Sequence, residues 1–251
     1  MTGGDETSSA SLGAQFLGTF NEIEGHLRDS LQCGDHVPFG DMVRTYADQH
    51  RLPREHVKAL NVFASLRNAI SHQNYYGGRP IAEPVAEVVD QIVQLKDQIL
   101  RPPMALTCLG RREVSVTAPD SPISAVLEVV RRYDYSQVPV YGGDGYTGLL
   151  TTNCIARWLA DRLERVTLAD DEPVEAVMAF AEAHDVARHI RRTTTAAVAI
   201  DLLSQPTNKG VRLAALIITD AGRASEKPLA VVVDADLPVL MAALSLSRRD
   251  V

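Results

Sequence analysis

An arginine, an amide and an imidazole lie close together near the end of a predicted helix, in the segment Arg67-Asn68-Ala69-Ile70-Ser71-His72. An imidazole titrates near neutral pH and can move a proton, whereas a guanidinium stays charged and can stabilise charge building on a phosphate. Arg67 and His72 are separated by about 140° around a helix, while Asn68 and His72 lie one turn apart. One helix therefore directs Arg67 and His72 apart, and a second copy of it would help them converge.

Apolar residues at helical spacing predict the elements that hold this segment. Residues 1–10 show no apolar period and are expected to be disordered, whereas residues 11–103 are expected to form an all-α bundle. The double proline Pro102-Pro103 ends the last helix and marks a domain boundary. Helices are predicted at Leu12–Leu31, Phe39–Asp48, Val57–Ile70 and Ile81–Ile99.

The Arg67-to-His72 spacing and its place in a helical domain resemble the HEPN family, whose motif is an Arg, four to six residues and a His. The resemblance implies a dimeric endoribonuclease that needs no metal and no cofactor for catalysis. His72 would move a proton to or from the 2′-hydroxyl or the leaving 5′-oxygen of RNA. Arg67 would stabilise the phosphate, and Asn68 would orient His72 or the scissile phosphate.

Two simpler interpretations of these residues stay open. Arg67 could pair with an acid such as Glu22 or Glu24, and His72 could interact with the helix C-terminus. Many HEPN domains are also thought to be non-catalytic binding modules. In that case the helical domain would mediate dimerisation or partner binding.

Beyond the double proline, the pattern changes to strands and helices that occur twice in the order β-α-β-β-α. The first copy is placed in residues 104–164, the second in residues 187–251, and a connecting helix in residues 165–186. The first copy has predicted elements at Val114–Thr117, Ser121–Val130, Gln137–Tyr141, Tyr146–Thr151 and Ile155–Leu163. The second has them at Ala187–Arg191, Thr193–Leu203, Leu213–Thr219, Leu229–Val233 and Pro238–Leu244.

Each copy carries part of one sequence motif. The motif consists of a glycine, two apolar residues, a Ser or Thr, two variable residues and an Asp. Gly148-Leu149-Leu150-Thr151-Thr152-Asn153-Cys154 keeps the glycine and hydroxyl, but Cys154 stands where the Asp belongs, and Asn153, one position earlier, is the candidate substitute. Ala230-Val231-Val232-Val233-Asp234-Ala235-Asp236 loses the hydroxyl and keeps a carboxylate at Asp236. These copies resemble a tandem pair of cystathionine-β-synthase (CBS) domains, a Bateman module.

The CBS resemblance implies that an adenine nucleotide, such as AMP, ADP, ATP or a dinucleotide, binds as a regulatory ligand. A hydroxyl at a helix N-terminus can bind phosphate, a carboxylate can accept from ribose, and apolar strand residues can wall the base. The alternative is that Thr152, Asn153 and Asp236 merely cap helices. The implied nucleotide-binding residues are Val138, Pro139, Thr151, Thr152, Asn153, Ala214, Asp234 and Asp236.

Composition narrows the class of protein. A formal net charge of −7 over 251 residues argues against tight non-specific binding to nucleic acid, so that RNA binding would need a local basic patch. Cys33, Cys108 and Cys154 are scattered and suggest neither disulfides nor a zinc site. Neither a signal peptide nor a membrane span is evident, which makes the cytoplasm the expected location and a membrane partner unexpected.

Together these patterns predict an α+β protein, with a helical bundle followed by two CBS repeats. The leading hypothesis is a cytoplasmic homodimer with nucleotide-regulated endoribonuclease activity. The alternative hypothesis is a non-catalytic protein that senses an adenine nucleotide and uses its helical domain for dimerisation or partner binding.

Overall fold

The computed structural model describes residues 11–71, 82–110, 112–164, 172–207 and 210–246, and the chain divides into two compact units. The division falls between Pro103 and Met104. At Leu244 the chain returns to the first unit, so that this unit is built from both ends of the described sequence.

The first unit is helical, as predicted. Its helices are α1 (Leu12–Leu31), α2 (Phe39–His50), α3 (Arg54–Ser71) and α4 (Ala86–Leu100). Each contributes an apolar face to one core, which includes the fully buried side chains of Phe16, Ile23, Leu60, Ile92 and Leu95. Helix α4 begins later than the sequence pattern predicts because Pro84 disfavours helical geometry at the residue before it and lacks a backbone donor.

A short C-terminal segment completes this core. His56 of α3 is 1% exposed, and its Nε2 lies 2.8 Å from the Leu244 carbonyl oxygen, to which it donates. Gln98 Nε2 donates to the Ser245 carbonyl at 3.4 Å, and Leu246 packs against the apolar cluster. A buried imidazole is costly without a hydrogen-bond partner, and the Leu244 carbonyl supplies one for Nε2.

The second unit contains the predicted repeat, and its first copy is built on two antiparallel strands. These are β1 (Gln137–Gly142) and β2 (Gly145–Thr151), preceded by Thr117, which forms a parallel bridge to Val140. The helices around them are α5 (Ala105–Leu109), α6 (Ile123–Tyr133), α7 (Thr152–Glu164) and α8 (Val174–Met178).

The second copy has the same topology. Strand β3 (Ala187–Arg191) pairs in parallel with β4 (Ala215–Thr219), and β4 pairs antiparallel with β5 (Ala230–Val232). Helix α9 (Ala196–Ser204) connects β3 to β4, and a 3-10 turn (Asp234–Asp236) leads into α10 (Leu237–Leu244). The α+β class and the repeated β-α units are therefore confirmed.

Two predicted elements are shorter in the structure. The predicted strand Val114–Thr117 is reduced to the Thr117 bridge, because its β1 neighbour Pro139 offers a carbonyl but no N–H to continue the ladder. In the predicted connecting helix, residues 165–171 lie outside the described residues. The remainder is helical only in α8, because the Asp185 carboxylate accepts from the Glu182 N–H and holds a turn there.

We expect His56→Leu to lower the free energy of unfolding by about 1–3 kcal/mol, because it leaves the Leu244 carbonyl buried without its donor. Urea unfolding followed by far-UV circular dichroism measures the loss. His36→Leu is the matched control, since His36 is exposed. Equal stability of the two variants would contradict the role assigned to His56.

Burial lowers the pKa of His56 below its ordinary value near 6.5. The unfolded chain then binds this proton more readily, so stability is full above about pH 6.5 and falls as the pH drops below it. Burial also lowers the pKa of His50, so part of the dependence has another source. The His56→Leu variant should therefore show a weaker, but not flat, acid dependence in the same unfolding experiment.

Candidate functional site

The second half-motif places a buried carboxylate at the start of α10. The Asp236 side chain is 5% exposed, accepts a 2.9 Å hydrogen bond from the Val233 N–H and forms an ion pair with Arg112. The side chain of Arg112 is 46% exposed. The carboxylate is thus fixed by the turn before α10, whereas its cationic partner reaches it from the segment before α6.

This ion pair lies at the wall of a cavity of about 310 Å³. The cavity joins segments of the first copy to the half-motif of the second. Tyr133 and Tyr135 line the cavity with ring centroids 5.5 Å apart and ring planes inclined by 22°. The lining residues are Arg112, Glu113, Val114, Ser115, Tyr133, Asp134, Tyr135, Ser136, Gln137, Val231, Val233, Ala235 and Asp236.

The first half-motif is engaged by a different carboxylate. Thr151 is buried, and its hydroxyl donates to Asp185 Oδ1 at 2.7 Å while accepting from the Cys154 N–H at 3.0 Å. The Asp185 side chain is 1% exposed and also forms an ion pair with Arg157. Arg157 is held in turn by donation from its Nε to the Phe180 carbonyl at 2.8 Å.

These contacts keep Asp185 ionised. Burial acts to raise the pKa of Asp185, but the Glu182 N–H, the Thr151 hydroxyl and the Arg157 guanidinium outweigh it and lower that pKa below its ordinary value. Sequence inspection did not select Asp185. Its available signal is an acidic residue two positions before a strand of the repeat, which is too common a pattern to single out a site.

Cys154, at the acidic position of the motif, is a core residue. It is fully buried, and its thiol donates to the Val177 carbonyl with an Sγ–O distance of 3.2 Å. Burial, followed by the nearby Asp185 charge, raises the pKa of this thiol. The flanking Thr152 and Asn153 are exposed, on the first turn of α7.

The remaining predicted nucleotide-binding residues are dispersed. Pro139 pairs with Leu149 inside the β1–β2 sheet, and Ala214 donates from its N–H to the Val186 carbonyl at 2.9 Å, beside Asp185. Asp234 is exposed, with Oδ2 3.9 Å from Arg212 Nη2. Val138 lines a separate cavity of about 410 Å³, together with Val116, Thr117, Ala118, Ser121, Ala125, Val126, Val129 and Tyr141.

The predicted residues therefore do not converge on one cavity. Thr151 bonds to Asp185 and Ala214 to the neighbouring Val186, whereas Asp236 lines the cavity with Arg112. Sequence inspection missed Arg112 as well as Asp185. Each charge is visible in the sequence, five residues before Thr117 for Arg112 and two residues before β3 for Asp185, but its partner is distant in the chain.

In the helical unit, Arg67 is engaged by neighbouring side chains. Its Nη1 donates to Asn68 Oδ1 at 3.2 Å, and its Nη2 lies 3.8 Å from Glu24 Oε2. The guanidinium carbon is 5.8 Å from the centre of the Phe20 ring. His72 lies outside the described residues, so the predicted Arg67, Asn68 and His72 site remains a prediction.

Comparison with known protein families supports the CBS resemblance for one part of the chain. Residues 109–161 match the family model of the CBS domain. A search of curated protein sequences gave no match. None of the described helices is long and apolar enough to cross a membrane, and the same residues contain no cluster of potential metal ligands.

Similar solved structures also contain CBS domains. A signal-transduction protein with CBS domains from Burkholderia ambifaria is 12% identical, with 59% of this chain and 99% of that chain covered and a TM-score of 0.42. CBSX2 in complex with AMP is 17% identical, with coverages of 52% and 87% and a TM-score of 0.36. The CBS domain of a bacterial CNNM/CorC family Mg²⁺ transporter in complex with ATP is 15% identical, with coverages of 62% and 94% and a TM-score of 0.38.

Placing an aspartate at the acidic position of the first half-motif should destabilise the protein. We expect Cys154→Asp to lower the free energy of unfolding by several kcal/mol, because it buries a charge beside the ionised Asp185. Cys154→Ser, which keeps a small donor, should cost less. Urea unfolding followed by Trp158 fluorescence compares the variants, and an unchanged midpoint for Cys154→Asp would contradict this account.

Proposed function

We propose that the chain is a non-catalytic regulatory protein that senses an adenine nucleotide in the cavity lined by Arg112 and Asp236. The observation that carries the proposal is a nearly fully buried carboxylate paired with a half-exposed guanidinium at the cavity wall. The CBS match of residues 109–161 supports an adenine nucleotide as the ligand class. The cavity volume of about 310 Å³ lies at the lower end of the range of small-molecule sites.

The ion pair offers complementary partners to the two polar parts of a nucleotide. Ribose hydroxyls donate to Asp236, while phosphate oxygens accept from Arg112. When the nucleotide binds, phosphate replaces Asp236 as the partner of Arg112, and ribose hydroxyls replace Arg112 as the partners of Asp236. Neither charge is left unpaired, which avoids the cost of an isolated buried carboxylate. Adenosine hydrogen-bonds only to Asp236 and leaves Arg112 without an anionic partner, so the site favours phosphorylated ligands.

Apolar and aromatic groups complete this arrangement. Val231 and Val233 face the cavity, and the stacked rings of Tyr133 and Tyr135 provide flat surfaces against which a base can pack. Such surfaces add affinity through area and stacking, without fixing which edge of the base is recognised. The polar pair is therefore the part of the site that selects the nucleotide class.

The proposed role of the helical unit is dimerisation or partner binding in a cytoplasmic homodimer. Regulation then requires that the nucleotide bind one arrangement of the dimer more tightly than another. Arg67 supports a structural role for its helix, since its partners are Asn68, Glu24 and the Phe20 ring.

Isothermal titration with AMP, ADP and ATP tests the nucleotide site. We expect Asp236→Asn and Arg112→Ala each to weaken binding by roughly tenfold or more, since each loses a charged hydrogen bond of about 1.5–3 kcal/mol. Arg192→Ala is the matched control, because Arg192 forms an exposed ion pair with Asp220 in the same unit. The Arg112→Ala substitution should change adenosine binding much less than AMP binding.

Thermal stability provides a second readout for the same proposal. A nucleotide at 100 times its dissociation constant should stabilise the protein by about 2.7 kcal/mol. The proposal fails if AMP, ADP, ATP and adenine dinucleotides all give neither heat nor a shift in Tm.

The nucleotide-regulated ribonuclease is the competing hypothesis, and it makes a separate prediction. RNA incubated with the protein in EDTA should be cleaved, and Arg67→Ala and His72→Ala should each abolish cleavage. Arg44→Ala is a control, because Arg44 lies on α2 in an exposed ion pair with Asp41. Intact RNA in every sample, with and without nucleotide, would reject this hypothesis and leave the regulatory protein.

A further inference from the structure

The two half-motifs receive opposite charges from equivalent positions of the repeat. Arg112 lies five residues before Thr117, which bridges in parallel to β1. Asp185 lies five residues before Ile190, which pairs in parallel with β4. Arg112 meets the Asp236 carboxylate of the second half-motif, whereas Asp185 meets the Thr151 hydroxyl of the first. Equivalent positions thus bring a cation to one half-motif and an anion to the other.

The contacts of Asp185 are those that an anionic ligand would need. Its oxygens accept from the Thr151 hydroxyl at 2.7 Å and from the Glu182 N–H at 2.9 Å, and they pair with the Arg157 guanidinium. A hydroxyl, a backbone N–H and a guanidinium form the donor set that proteins use for phosphate. The carboxylate that occupies these donors is 1% exposed, whereas the Arg157 side chain is 28% exposed.

We propose that Asp185 is a built-in substitute for a ligand phosphate, so that the chain binds a single nucleotide, at Asp236, and its first half-motif is a latent anion site. This inference rests on the proposed function for the nucleotide at Asp236. The latent site at Thr151 and Arg157 is a statement about the chain's own donors and can be tested without a nucleotide.

Electrostatic repulsion explains why a phosphorylated ligand does not displace Asp185 from Thr151 and Arg157. A phosphate entering beside Thr151 would meet the ionised Asp185 at close range, and like charges repel strongly where water is excluded. Displacing Asp185 would also strip a buried carboxylate of its donors at once. At the second half-motif, separation of the Arg112–Asp236 ion pair instead exposes a cation, Arg112, which attracts the phosphate. The two halves therefore differ in sign, although their folds match.

The number of bound ligands tests the inference in the full-length chain. Equilibrium dialysis with AMP should give one equivalent for the unaltered chain. Thr151→Val should leave that equivalent and its affinity within about twofold, since the hydroxyl is committed to Asp185. Asp185→Ala should gain one equivalent over the unaltered chain, and the gained site should survive in the Asp185→Ala, Asp236→Asn double variant. Asp220→Ala, which removes an exposed paired carboxylate, should gain nothing.

Inorganic pyrophosphate separates this inference from the proposed function. It should bind Asp185→Ala more tightly than the unaltered chain by at least tenfold, and Arg157→Ala added to that variant should remove the gain. Asp185→Gly likewise removes the carboxylate and vacates the Thr151, Glu182 and Arg157 donors, and it should show the same gain if Asp185→Ala fails to fold.

Each outcome is decisive. Two AMP equivalents in the unaltered chain, loss of the single equivalent in folded Thr151→Val, or no pyrophosphate gain in either folded Asp185 variant would overturn the inference. No AMP, ADP or ATP binding to the unaltered chain, together with a pyrophosphate gain in the Asp185 variants, would reject the proposed function and retain the latent site.

Discussion

The Asp185 carboxylate is almost completely removed from water, and donors from three segments of the chain hold its charge there. The Thr151 hydroxyl comes from the end of β2, the Arg157 guanidinium from α7 and the Glu182 N–H from the turn before β3. An ionised group in such a position is tolerated only while each donor is present. This contact therefore joins the first copy to the second and fixes the start of α7 through the bond between Thr151 and the Cys154 N–H.

The same exchange between copies forms the open cavity. Arg112 precedes the first bridged residue of one copy, and Asp236 follows the last strand of the other. A charged residue of one copy thus completes a half-motif that lies more than a hundred residues away in the chain. The two copies therefore have two such meeting points, and Arg112 and Asp185 make them chemically different.

The sequence predicts most of the fold because the helices and strands are encoded by local apolar periodicity. Leu12 to Leu31 and Gln137 to Thr151 illustrate this, since their apolar spacing alone places helix and hairpin. It predicts Asp236 from the motif, but it misses Arg112 and Asp185, whose importance depends on partners brought together by folding. It also counts Val138 and Ala214 among the nucleotide-binding residues, whereas Val138 lines a cavity that contains neither half-motif and the Ala214 N–H donates to the Val186 carbonyl.

The bond between His56 and the Leu244 carbonyl bears on how the chain folds as it is made. Helices α1 to α4 leave the ribosome well before Leu244 does, and until then the imidazole of α3 has no main-chain acceptor at this position. The helical core is therefore sealed only after both copies of the repeat have been synthesised. During translation the nascent helical bundle lacks the contacts of Leu244 and Leu246 with its core. The earlier elements of the repeat have time to fold before α10 and the segment after it complete that core.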